Sequence, residues 1–344
     1  WIGEINLYSA ANGNFEPWAY NQLKRFLLFL PIFLFILMLQ PRFIFNVTEI
    51  ILITTVIGLI ITLFFGYTGM GAKRWIRIGG FNLQMSEFAK IALVLFMAKY
   101  FHKLNAEKTI GLLRSILPLI ISLIVFILVA IQPDLGTAVI ILTLGLIAIF
   151  YAGINLIYPI LSLIILGISS PFLWTLLKPY QQNRVMIFLN PDLDPLGKGY
   201  HIIQSKIAIG SGGMRGNGFL GGSQSSLDFL PEKETDFVFA IFSEQFGFTG
   251  SMVILGLFLF LFLIPIFKSF FLTQVFNKLI LFVLSFKIFF EFLINISMTI
   301  GLVPVVGVAL PFMSYGGSSL LSNMIICALL LNIMSISEKK RMFS

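Results

Sequence analysis

The chain has 344 residues, of which 58% are hydrophobic and only 11% charged. A water-soluble fold of this length could not hide so much apolar surface in its interior, so a soluble globular class is excluded and the excess must face lipid. The net charge of +8 does not point to nucleic acid, because the basic residues gather at the ends of apolar runs, where anionic headgroups and membrane orientation account for them.

A hydrocarbon core of about 30 Å calls for roughly 20 helical residues. Residues 26–41, uncharged between Lys24-Arg25 and Arg42, predict a first span, and 50–72 a second. The third runs through 86–101 and carries Lys90, and 115–133 form the fourth. The uncharged stretch 135–177 is too long for one helix and breaks at Gly153–Pro159, giving two spans. A seventh covers 245–267, extending back toward Phe237, and an eighth covers 279–298 with Lys287 and Glu291 inside. The stretch 292–337 splits at its Pro/Gly-rich middle and ends in a ninth span near 319–336. The expected fold class is an all-α polytopic membrane protein, with residues 1–344 a single transmembrane domain and 178–235 a large extracytoplasmic loop.

The terminal Lys339-Lys340-Arg341 cluster predicts a cytoplasmic C-terminus. Alternation then places Arg42, Lys103, Lys108, Arg114, Lys268 and Lys278 inside. Lys73, Arg74 and Arg77 run against the rule in a short outer loop, and the long loop holds six more basic residues. Nine spans put Trp1 outside, which suggests a further span preceding this sequence, with a cleaved or naturally short N-terminus as the alternative; no signal peptide and no internal repeat are visible. The segments 67–87, 178–236 and 299–319, rich in Gly, Pro and polar residues, all fall on the outer side, and function is expected there.

Cys327 is the one cysteine and lies in an apolar run, which excludes a disulfide framework and a Cys-rich metal site. His102 and His201 show no ligand spacing and argue against a zinc enzyme. In Gly71-Ala72-Lys73-Arg74-Trp75-Ile76-Arg77, three cations within five residues suit either an anionic lipid head such as a diphosphate or a snorkelling anchor. Glu87 and Lys90, spaced i,i+3 on the outer part of a span, are expected to pair or to line a polar cavity. Lys287 and Glu291, spaced i,i+4, suit structural pairing, and Asp134 in Gln132-Pro133-Asp134 opens the next span as a cap.

The long loop holds Pro179-Tyr180-Gln181-Gln182-Asn183-Arg184, and seven glycines fall within 210–222. Gly216–Gly221 fits G-x-G-x-x-G, but no strand precedes it, so a dinucleotide site is rejected. The glycines are expected to allow a close backbone approach or a tight turn. Asp236 stands where the polar loop enters an apolar helix. A carboxylate at such a dry boundary suits a general base, with a helix cap as the plain alternative and Thr235 competing for that role. Glu244, two turns further in, is a supporting carboxylate.

These residues resemble the SEDS family (shape, elongation, division and sporulation), and within it the RodA branch. The motifs are Leu7–Ala10, Gly71–Lys90, Gln132–Thr137, Pro179–Arg184, Gly210–Gly250 and Pro304–Ser319, in the family's order over nearly the whole chain. Gly222-Ser223-Gln224-Ser225 leading to Phe229-Leu230-Pro231-Glu232, and Phe246-Gly247-Phe248, favour RodA over FtsW. The sequence departs from the pattern at Met85, usually Pro; at Gln245, often acidic; and at Glu234, often His. The resemblance implies ten helices, with Leu7–Ala10 following the first.

It also implies a peptidoglycan glycosyltransferase of the bacterial plasma membrane, polymerising lipid II on the extracytoplasmic face during cell-wall elongation. Asp236 matches the family's catalytic aspartate and is the expected general base. Arg74, Lys90 and Arg184 are candidate diphosphate contacts, Gln181, Ser314 and Ser318 further substrate contacts, and Glu87, Asp134 and Glu244 supporting groups. A divalent cation, magnesium or manganese, would help to neutralise the diphosphate, although no dedicated cage is visible. The implied partners are lipid II, membrane lipids and a class B penicillin-binding protein. The competing readings are an FtsW-like septal polymerase, a lipid II flippase or transporter, and a non-enzymatic scaffold.

Overall fold

The computed structural model of the chain describes residues 1–69, 72–104, 111–195, 197–226 and 229–342. Gly71 and Lys108, named above, lie outside the described residues. In chain order the elements are α1 (Ile2–Ala10), α2 (Trp18–Met38), α3 (Pro41–Phe65), β1 (Tyr67–Gly69), β2 (Ala72–Ile78), β3 (Phe81–Gln84), α4 (Met85–Lys103), α5 (Leu112–Ile131) and α6 (Leu135–Tyr151). They continue with α7 (Ile157–Leu176), α8 (Pro179–Leu189), α9 (Lys198–Ser211), α10 (Ser223–Ser226), α11 (Val238–Phe270), α12 (Val275–Thr299) and α13 (Gly317–Met342).

Among the described residues, α2, α3, α5, α11, α12 and most of α13 are long and apolar enough to cross a membrane, while α6 and the 157–172 part of α7 form shorter apolar helices. Helix α4 has the length but carries Glu87, Lys90, Lys99 and Lys103. This is a multi-pass helical membrane protein. Thr48, Thr55 and Thr62 return their hydroxyls to the carbonyls of Ile44, Ile51 and Gly58 one turn back, so α3 leaves none of these donors open in lipid. The break expected at Gly153–Pro159 falls between α6 and α7: Gly153 takes φ +101, and Asn155 Oδ1 accepts from Ile157 N at 3.0 Å to start α7.

The second helix differs from the expected 50–72. It begins at Pro41 and ends at Phe65, so that Arg42 and Glu49 lie inside it. Glu49 is tolerated because Lys99 meets it, and Lys103 approaches its other oxygen at 3.5 Å. The segment beyond α3, expected as loop, folds as an antiparallel sheet in the order β1-β2-β3, with Tyr67 opposite Trp75 and Trp75 opposite Gln84. Gly79 and Gly80, at φ +54 and +83, supply the two positive φ angles of a tight hairpin.

The chain divides into two compact units. One comprises 1–25, 160–259 and 291–316; its core joins Ala10, Ala208, Leu230, Phe237, Ala240 and Ile241, with Trp18, Ile209 and Val305 against them. The other comprises 26–159, 260–290 and 317–344, with α4 packed against α3, α6 and α13.

Helix α11 is interrupted at Gly247 (φ 64°, ψ −164°). Four main-chain bonds bridge the interruption from 213–218: Phe248 N to Gly213 O at 2.8 Å, Thr249 N to Met214 O at 3.1 Å, Asn217 N to Glu244 O at 3.0 Å and Gly218 N to Gln245 O at 3.0 Å. A Cβ on Gly216 would collide with the Gln245 carbonyl. The glycine-rich stretch thus brings backbone to backbone, clasping α11 where its own hydrogen-bond ladder fails.

Candidate active site

In the first unit, Asp236 lies in the turn that precedes α11, two residues before Val238, and is half-buried. Thr235 donates its hydroxyl to Glu232 O at 3.3 Å, so it is occupied within the turn. Three consecutive carbonyls around Asp236 are each held by a separate donor. Glu234 O accepts from Tyr315 N at 2.8 Å, Thr235 O from Ser314 Oγ at 2.6 Å, and Asp236 O from Asn295 Nδ2 at 3.0 Å. Gly307, at φ +74, passes beside the carboxylate, and a Cβ there would lie 3.5 Å from Asp236 Oδ2. One residue before it, Val306 O accepts from Arg184 Nη1 at 3.5 Å. The 304–308 strap therefore has the Asp236 carboxylate and the Arg184 guanidinium against two adjacent residues.

The other expected residues of this unit also make bonds within the fold. Gln181 Oε1 accepts from Lys178 N at 2.9 Å, capping α8, and its Nε2 donates to Tyr180 Oη at 3.2 Å. Ser314 is buried; its Oγ accepts from Leu310 N at 2.8 Å while donating to Thr235 O. Glu244 is also buried and accepts from Gln224 N at 2.8 Å, tying α10 to α11.

In the second unit, Lys90 Nζ lies 2.7 Å from Glu87 Oε1, both side chains buried, as the i,i+3 spacing predicts. Glu87 Oε2 has no hydrogen-bond partner among the described residues. Lys287, fully buried, donates to Asn323 Oδ1 at 2.8 Å. Asp134 caps α6, accepting from Thr137 N at 3.4 Å; it also accepts from Gln84 Nε2 at 3.0 Å and lies 3.9 Å from Arg74 Nη1. Arg74 further donates to Pro133 O, and its buried Nε has no partner among the described residues. Ser318 Oγ accepts from Gln84 N and donates to Asn82 O, each at 2.9 Å, fastening β3 to the start of α13.

Asp134→Ala removes the cap and the partner of Gln84 and Arg74 together. We expect it to lower stability by about 1–3 kcal/mol, with Asp134→Asn losing less, as measured by thermal unfolding in detergent.

Sequence reasoning missed Asn295, Gln22 and Gly307. Gln22 Nε2 donates to Ser314 O at 3.2 Å and its Oε1 accepts from Gly316 N at 3.4 Å, steadying the loop that holds Glu234 and Thr235. For Asn295 the available signal was an amide inside an apolar run, where it must find a partner. No group of three or more His, Cys, Asp or Glu able to hold a metal ion occurs among the described residues.

The helices form a multi-pass membrane protein in which a carboxylate at a helix entrance and the Arg184 guanidinium meet adjacent residues of one strap. The family model for FtsW, RodA and SpoVE, described as cell cycle protein, matches residues 7–339, and the chain belongs to that family. Within it the chain is RodA-like. The peptidoglycan glycosyltransferase MrdB of Escherichia coli (strain K12) is 39% identical over 281 residues, covering 81% of this chain and 75% of its own. Peptidoglycan glycosyltransferase RodA of Treponema pallidum (strain Nichols) is 34% identical over 358 residues, covering 83% and 82%. A chain from a structure describing the coordination of polymerization and crosslinking by a peptidoglycan synthase complex superposes with a TM-score of 0.83 at 30% identity, over 97% of this chain and 94% of that one.

Proposed function

We propose that the chain is a peptidoglycan glycosyltransferase that polymerises lipid II, with Asp236 as general base. The 4-hydroxyl of one sugar attacks the anomeric carbon of another. A glycosidic C–O bond forms, the bond from that carbon to the lipid diphosphate breaks, and the hydroxyl proton passes to the Asp236 carboxylate. Diphosphate leaves as an anion without needing a proton, so one carboxylate and nearby positive charge suffice. This distinguishes the reaction from glycoside hydrolysis, which uses a carboxyl pair.

The observation that carries this reading is the strap 304–308, where Gly307 lies beside Asp236 Oδ2 and Val306 O meets Arg184. A carboxylate and a guanidinium flank adjacent residues, and the missing Cβ at Gly307 lets the strap pass close to Asp236 Oδ2. Arg74 and Lys90 remain diphosphate contacts on the family resemblance, and Lys90 also pairs with Glu87. The relatives above are named peptidoglycan glycosyltransferases, which supports the same activity for this chain. The reading further places the protein in the bacterial plasma membrane with the Asp236 side extracytoplasmic, and pairs it with a class B penicillin-binding protein that crosslinks the new strands.

The test is reconstitution of the purified chain in vesicles with labelled lipid II. Glycan polymer resolved by gel electrophoresis is the expected product. Movement of lipid II between leaflets with no polymer would replace this function by transport.

A further inference from the structure

Asn295 on α12 is fully buried, and its side-chain amide serves two backbone carbonyls at once: Asp236 O at 3.0 Å and Val308 O at 2.8 Å. A carboxamide nitrogen has two hydrogens, and both are engaged. The acceptors lie at or next to the two groups that approach one another. Asp236 bears the carboxylate, and Val308 adjoins Gly307, whose absent Cβ sets the 3.5 Å approach to Oδ2. One side chain thus fixes the spacing between the base and the strap that also receives Arg184.

We propose that Asn295 is a positioning residue for glycosyl transfer, acting through the main chain of Asp236. The inference rests on Asp236 being the base. A general base must stand within hydrogen-bond reach of the proton it takes, about 2.6–3.2 Å between heavy atoms. The bonds to Glu234 O and Thr235 O fix the approach to Asp236 from its N-terminal side, and Asn295 Nδ2 holds the carbonyl of Asp236 itself. Serine at this position offers a single hydroxyl donor and cannot hold both carbonyls, so the strap and the carboxylate are released from their common reference while most of the packing is kept.

The experiment uses the full chain purified in detergent, with labelled lipid II varied in concentration, and compares Asn295→Ser, Asn295→Ala and Asp236→Asn. Folding is followed by gel filtration and by the thermal midpoint. For folded Asn295→Ser we expect kcat to fall roughly 10- to 100-fold, the loss associated with a misplacement of about 1 Å. KM should stay within about threefold, since ground-state binding of lipid II does not depend on this contact. Asn295→Ala should fall further in kcat with the same KM. A kcat within threefold of the parent in folded Asn295→Ser, or a loss confined to KM, overturns the inference. So does failure of Asn295→Ser to fold, which would make the residue a core element only. Activity in Asp236→Asn would instead overturn the base itself. An inactive Asp236→Asn beside an unimpaired Asn295→Ser removes only the positioning role.

Discussion

Asp236→Asn is expected to lower glycan-chain formation from lipid II by about 10³-fold or more, and Asp236→Ala to do the same. A positioned base contributes about 10²–10⁴-fold to a proton transfer, and a neutral amide of the same shape cannot take the proton. The protein should remain folded, because the turn around Asp236 is held through main-chain carbonyls. Tyr315 N, Ser314 Oγ and Asn295 Nδ2 bond to residues 234, 235 and 236 whatever side chain position 236 carries. A normal thermal midpoint with no polymer is therefore the predicted combination. Near-parental polymerisation by well-folded Asp236→Asn would end the case for this carboxylate as the base.

The second large effect is on stability. Lys90→Met leaves the Glu87 carboxylate without its ammonium in a buried setting, and Glu87→Gln does the converse. Removing one partner of a buried pair costs about 3–5 kcal/mol. The double variant Glu87→Gln/Lys90→Met removes both charges, and its thermal midpoint should lie closer to the parent than that of either single variant. Singles that unfold at the parental temperature would show that the pair adds nothing to the fold. Activity then separates two roles: a folded double variant with a raised KM for lipid II assigns Lys90 to the diphosphate as well as to Glu87.

Much of the helical layout was legible because lipid imposes a simple rule: long runs without charge cross it. The rule erred where charge is neutralised within the fold. Glu49 belongs to α3, paired with Lys99 and Lys103, so the helix starts well before its uncharged portion. It also missed the β-sheet of 67–84, whose short strands carry three cations and whose hairpin depends on two adjacent glycines. Asp236 was legible by its place at a polar-to-apolar boundary. Its supports were not, because a loop more than 70 residues further along the chain supplies Ser314 and Tyr315, and no local pattern announces such a pairing. Ser314 and Ser318 also bond backbone groups of distant segments, partners that no local pattern announces.

The interruption at Gly247 has a consequence for length. Run straight, the 33 residues of α11 would extend about 50 Å, far beyond an apolar layer of about 30 Å. Divided there, residues 248–270 measure about 35 Å and match the layer by themselves. The preceding portion becomes a short arm, anchored by its neighbours' peptide groups, and Asp236 stands at its tip. The height of the Asp236 carboxylate is then set by that arm and its anchorage, separately from the reach of the membrane-crossing rod.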